Sequence, residues 1–105
     1  MRLNLKNITI LIPTYKRNNY LFKNLSFWEN YNTNIIILDG GETPISKKQF
    51  NSYKNNIKYF FYKNSSFEKR LYYGSKKVQT SFCVVIGDDE LHEPNSLKKS
   101  MNFLK

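Results

Sequence analysis

Cysteine occurs once in this 105-residue chain, at position 83, which excludes an internal disulfide and fits a reducing compartment. Long apolar runs are absent. Ile35-Ile36-Ile37-Leu38 is typical of the stretches present, and none is long enough to span a bilayer. The opening residues, MRLNLKNITI, lack an apolar core followed by small residues, so secretion is not expected. Histidine also occurs once, at His92 beside Glu93, and is not offered as a ligand. Acids are scarce: 8 against 17 lysines and arginines, a formal net charge of +9. That excess reads either as a lysine-rich solvated surface or as attraction to phosphate-bearing ligands, an anionic membrane or nucleic acid. The basic residues are scattered in pairs (Lys16-Arg17, Lys47-Lys48, Lys69-Arg70, Lys76-Lys77, Lys98-Lys99) with no stripe along one helix. Specific nucleic-acid binding therefore draws little support.

What is present points to a globular chain. Hydrophobic residues make up 40% and aromatics 16%, enough for one core, so residues 1–105 are read as a single domain. Four apolar runs, Ile8–Ile12, Ile35–Leu38, Ile57–Tyr62 and Phe82–Ile86, are continuous rather than alternating, as strands covered on both faces should be. Cys83 falls inside the last run and is expected in the core. Helical spacing lies between the runs. Leu21, Leu25 and Trp28 form one stripe, and Phe67, Leu71 and Val78 a second. Ser65-Ser66-Phe67-Glu68 fits a capping box, Thr43-Pro44 opens a shorter helix through Phe50 and Tyr53, and Glu93-Pro94 opens the last. The alternation of strand and helix predicts parallel strands in an α/β layered sheet with helices on both faces.

Ligands of such sheets gather beyond the carboxyl ends of the strands. Three of the loops there are chemically rich. Pro13 should end the first strand, because it has no N–H for the ladder. Thr14 and Tyr15 then offer a hydroxyl and a ring suited to a nucleobase, or form an ordinary strand-ending turn. Asp39 precedes Gly40 and Gly41, whose backbones can fold tightly. Its carboxylate either accepts from ribose or base or closes an Asp-Gly turn. Asp88, Asp89 and Glu90 follow the fourth run directly. Adjacent carboxylates repel, and a divalent cation bridging a diphosphate turns that repulsion into attraction. The competing reading is an acidic lead into a helix N-terminus, which suits Glu93 and Glu90 better than Asp88 and Asp89. Arg70 reads as a partner for phosphate or for these acids, or as a solvated surface arginine.

At this point a resemblance emerges. Residues 10–17, ILIPTYKR, resemble the opening of family 2 glycosyltransferases, the inverting nucleotide-sugar enzymes of the GT-A fold. Leu38-Asp39-Gly40-Gly41, Arg70 with Gly74, Val84-Val85-Ile86-Gly87-Asp88-Asp89-Glu90, and Pro94-Asn95-Ser96-Leu97 are similar to its later motifs, in order. Gly87 stands where many members carry the first acid of a DxD motif, and Arg70 is one residue farther from its glycine than is common. The resemblance implies a three-layer, Rossmann-like, mostly parallel sheet in strand order 3-2-1-4. It implies donor contacts from Pro13, Thr14, Tyr15, Arg17, Asp39, Gly40, Arg70 and Asp88, and Mn2+ or Mg2+ held by Asp89 with Glu90. The partners implied are a nucleotide-sugar donor and an unidentified acceptor glycan or lipid-linked sugar. The expected location is cytoplasmic, with peripheral contact at the inner face of the membrane and self-association through an open sheet edge as further expectations. Members continue well beyond this length, and no second acidic cluster follows Glu93, so the chain reads as the nucleotide-binding half, lacking the general base. The alternative is a non-catalytic basic α/β module for nucleic acid or anionic surfaces.

Overall fold

A computed structural model describes residues 3–16 and 18–87. Strand β1 (Leu3–Thr14) leads into helix α1 (Asn18–Trp28), then strand β2 (Tyr31–Asp39). Strand β3 (Asn56–Phe61), helix α2 (Phe67–Ser75) and strand β4 (Phe82–Val85) follow. All pairings are parallel and the order is β3-β2-β1-β4, the Rossmann-like α/β arrangement expected. The step from β3 back to β4 on the other side of β1 places the switch point between β1 and β4, where ligands of such sheets generally bind.

The continuous apolar runs are explained by the two faces of the sheet. Alternation sends Ile8, Ile10 and Ile12 of β1 and Ile35 and Ile37 of β2 to one side, where they cluster with Leu21, Leu25 and Trp28 of α1. Leu11, Ile36 and Leu38 point the other way and cluster with Leu71, Val78, Phe60 and Tyr62. Gly74 lets α2 approach this second face closely: a Cβ there would lie 2.4 Å from Leu38 Cδ1. Polar side chains fasten the same strands. Thr33 Oγ1 donates to the Ile8 carbonyl at 2.9 Å, near the register shift of β1 between Asn4 and Thr9. Asn55 Nδ2 donates to the carbonyls of Tyr31 and Thr33, tying the start of β3 to β2.

Several expectations are corrected. Pro13 does not end β1: it pairs in register with Leu38, and the strand runs on to Thr14. Along a strand, backbone groups alternate sides. Leu11 accepts from Ile86 N–H on the β4 side, so Pro13 also faces β4, beyond the last β1–β4 pair at Leu11 and Val85. The missing N–H falls where β4 has left the ladder. The helix expected from Thr43-Pro44 is a single 3-10 turn, Lys47–Phe50, whose N-cap Ser46 makes no side-chain cap bond. Its one apolar anchor is Phe50, which is buried; four residues with one anchor do not sustain a longer helix.

The cap of α2 is Ser66, accepting from Lys69 N–H at 3.2 Å, one residue later than the Ser65–Glu68 box. Phe67 is 48% exposed and leaves the buried stripe to Arg70 and Gly74. Cys83 is exposed rather than buried. Strand β4 lies at an edge: Val84 packs toward the α1 side, so Cys83 and Val85 take the opposite face. On that face α2 stands over β1 and β2. The helix expected from Glu93-Pro94 lies outside the described residues.

Candidate functional site

The exits of β1 and β2 meet at one rim. Thr14 and Asp39 are register partners at the ends of these strands, and both are buried. Gly40 N–H donates to the Thr14 carbonyl at 3.0 Å, carrying the pairing one residue past the strands. Alternation puts the Thr14 side chain on the face of Ile8, Ile10 and Ile12, and Asp39 on the same face with Ile35 and Ile37.

Asp39 is only 3% exposed, and its carboxylate is held from two sides. Oδ1 accepts from Gly41 N–H at 2.9 Å, closing the Asp-Gly turn. Oδ2 accepts from the Tyr59 hydroxyl at 2.5 Å. Tyr59 comes from β3, where it pairs in register with Ile37, so its length carries the hydroxyl up to the level of Asp39. The same hydroxyl accepts from Ile45 N–H at 2.9 Å. Burial, then the bond to Asp39, pushes the Tyr59 hydroxyl pKa well above the ordinary tyrosine value. The turn reading of Asp39 is therefore correct as far as it goes, and the turn is one part of a larger clamp. Tyr59 was missed in the sequence because a tyrosine in an apolar strand carries no sign of which loop it reaches.

The glycines matter for space. Among the described glycines none has a positive φ. A Cβ on Gly40, however, would lie 1.9 Å from Arg70 Nη1 and 2.7 Å from Cζ. The guanidinium thus rests directly on the loop after β2. Arg70 is 6% exposed, which overturns the solvated-surface alternative. Nη1 donates to the Ser65 carbonyl at 2.6 Å, while Nε is buried and has no hydrogen-bond partner among the described residues. The loop after β3 closes over the same place: Asn64 N–H reaches the carbonyls of Gly40 and Gly41, with Asn64 in the left-handed region at φ 52°. The loop after β2 and the loop between β3 and α2 are laced together around a buried cation.

Tyr15, by contrast, is 45% exposed beside the rim. Lys16, at φ 55°, sets its Nζ 5.2 Å from the Tyr15 ring centroid and pairs with Glu42 at 2.9 Å. That mutual bond raises the Lys16 pKa and lowers that of Glu42, but both side chains are in solvent and the pair is screened. At the exit of β4, Asn24 of α1 donates to the Gly87 carbonyl at 3.2 Å and accepts from Trp28 Nε1 at 2.9 Å. The residue that leads into the acidic triplet is thereby pinned to the helix.

Thr14, Tyr15, Asp39, Gly40 and Arg70 are therefore gathered at the carboxyl rim, with Pro13 in the strand just below. Arg17, Asp88, Asp89 and Glu90 lie outside the described residues. Among the described residues no group of three or more His, Cys, Asp or Glu is placed to hold a metal ion. No described helix is long and apolar enough to cross a membrane.

Comparison with known proteins agrees with this arrangement. The chain matches the profile of glycosyl transferase family 2 over residues 9–105. It is 27% identical over 100 residues to an uncharacterized glycosyltransferase of Rickettsia typhi, covering 92% of this chain and 31% of that protein. It is 29% identical over 105 residues to an uncharacterized glycosyltransferase of Rickettsia conorii, covering 92% of this chain and 17% of that protein. The chain thus spans a third or less of these relatives. With its parallel 3-2-1-4 sheet and a motif order that follows the strand exits, the chain belongs to glycosyl transferase family 2.

Proposed function

We propose that this chain is the donor-binding portion of an inverting, metal-dependent glycosyltransferase that uses a nucleotide-diphosphate sugar. The observation that carries this reading is the Arg70 guanidinium. It is buried against Gly40, in the loop that follows Asp39, and among the described residues its Nε keeps an unpartnered N–H. A buried cation with one carbonyl acceptor is costly unless a further acceptor completes it, and a nucleotide supplies acceptors on both base and phosphate. Asp39, an acceptor, complements it by taking a ribose hydroxyl or base N–H. Tyr15 offers an exposed ring for stacking. Pro13, Thr14, Arg17, Gly40 and Asp88 complete the donor contacts in this reading.

The ion is a separate matter of donor chemistry. Asp39 already accepts from Tyr59 and Gly41, and in this reading its remaining lone pairs serve the ribose or base rather than the ion. Asp89 and Glu90, with Asp88 adjacent, supply the hard oxygens that Mn2+ or Mg2+ requires. When bound, the ion would offset the charge of the diphosphate. Inversion needs a base to take the acceptor's hydroxyl proton as its oxygen displaces the nucleoside diphosphate from the anomeric carbon. That base is assigned to residues outside these 105, in keeping with the small share of the relatives covered.

Calorimetric titration with a UDP-sugar, with and without Mn2+, tests the reading. Binding should strengthen with Mn2+ and lose that dependence in Asp89→Ala, while a radiolabelled transfer assay on the chain alone should show no turnover. The net charge of +9 favours one rival, a basic binding module. Salt-sensitive binding to random DNA, indifferent to Mn2+, without UDP-sugar affinity, would establish that rival instead.

A further inference from the structure

We propose that Tyr59 is a positioning residue for nucleotide recognition: it fixes the carboxylate of Asp39 as a pure acceptor at the rim and ties its orientation to the segment ending at Ile45. The inference rests on the nucleotide-binding reading above. Its basis is the direction of two hydrogen bonds. A phenolic hydroxyl has one proton. The Ile45 N–H can only donate, so the Tyr59 oxygen accepts there at 2.9 Å, and its own proton is directed to Asp39 Oδ2 at 2.5 Å. On the other side, Gly41 N–H donates to Oδ1 at 2.9 Å. Two donors from different elements, one on β3 and one on the β2 loop, define the plane of the carboxylate. Its remaining lone pairs then accept only from a group that donates, as a ribose hydroxyl or a base N–H does.

The ring itself is held independently of the hydroxyl. It packs against Phe50 at a centroid distance of 5.2 Å and belongs to the cluster on the α1 side of the sheet. Removing the oxygen therefore leaves the ring's packing in place while freeing Asp39 to rotate about its turn. It also frees Ile45, because the N–H that Tyr59 accepted loses its partner. Tyr59 thus acts through Asp39 and is not itself expected to touch the nucleotide.

The experiment is a double-mutant cycle on the 105-residue chain. UDP is titrated calorimetrically in Mn2+ against the wild type, Tyr59→Phe, Asp39→Asn and the double variant, with amide exchange at Gly41 followed by NMR. The expected result is UDP affinity about ten-fold weaker in Tyr59→Phe, the scale of one well-made hydrogen bond. Tyr59→Phe should have no further effect once Asp39 is Asn, and Gly41 should exchange faster while amides of β2 keep their protection. Wild-type binding with unchanged affinity in Tyr59→Phe, or with additive effects, overturns the positioning role and leaves the nucleotide reading standing. No UDP binding by the wild type overturns both.

Discussion

Replacing Gly40 by alanine tests the way the rim is built. The added Cβ would lie 1.9 Å from Arg70 Nη1, 2.7 Å from Cζ and 3.0 Å from Cδ. Because the conflict reaches Cδ as well as the head group, turning the guanidinium alone does not relieve it, and the side chain must swing out of its site. Doing so breaks the 2.6 Å bond to the Ser65 carbonyl that joins α2 to the loop before it. Overpacking of this kind costs about 1–3 kcal/mol, and a hydrogen bond from a charged donor contributes about 1.5–3 kcal/mol. The displaced guanidinium regains water, so the net loss should lie near 2 kcal/mol rather than at the sum of the upper values. In urea, with a slope of about 1–3 kcal/mol per molar for a domain of this size, the midpoint should drop by roughly 1 M. The decisive comparison is with Arg70→Ala as the background. There the same glycine substitution meets no guanidinium, and its effect should shrink to within about 0.5 kcal/mol. An equal loss in both backgrounds would refute the contact as the reason for glycine at this position.

Three further outcomes follow from the geometry. Asn24→Ala leaves Trp28 Nε1 and the Gly87 carbonyl without their partner and should destabilise the chain by about 1–3 kcal/mol in a urea titration. Ser66→Ala should cost about 1 kcal/mol as a lost helix cap, more than Ser65→Ala, whose hydroxyl serves only the Tyr62 carbonyl; the reverse order would contradict the cap assignment. The raised pKa of Tyr59 means that the folded chain keeps a proton that the unfolded chain releases above the ordinary value of 10.0. Its stabilisation is complete below that pH and lost as pH rises past it, so between about pH 9 and about pH 11 the melting temperature should fall less steeply in Tyr59→Phe than in the wild type.

The strands were legible because their signal is local and redundant. Ile35-Ile36-Ile37-Leu38 fills both faces of β2, so no register ambiguity could hide it. Asp39 and Thr14 were legible as rim residues because a strand's end is visible in the residues that follow it. Elements whose outcome depends on what packs over them were less legible. Cys83 looked buried because its neighbours are apolar, yet its strand sits at an edge. The segment after Thr43-Pro44 had helical spacing, but its two buried apolar residues, Ile45 and Phe50, are five positions apart and do not form one helical stripe. Arg70 could be read from the chain as phosphate partner or surface charge, and only its seat on Gly40 decides against the surface. Tyr59 was not legible at all, since its role depends on a hydroxyl reaching across a register that the sequence does not display.

The central place of β1 has a consequence for how the chain is made. Its two flanks are filled at very different times during synthesis. Tyr31 to Asp39 can zip onto it early, whereas Ile8 to Leu11 wait for Phe82 to Val85. Closing that last seam brings together segments from opposite ends of the described chain, a slow event compared with a neighbouring crossover. Until then the first strand keeps a bare flank on the ribosome, and mutations that delay the final seam should appear as losses of yield before they appear as losses of binding.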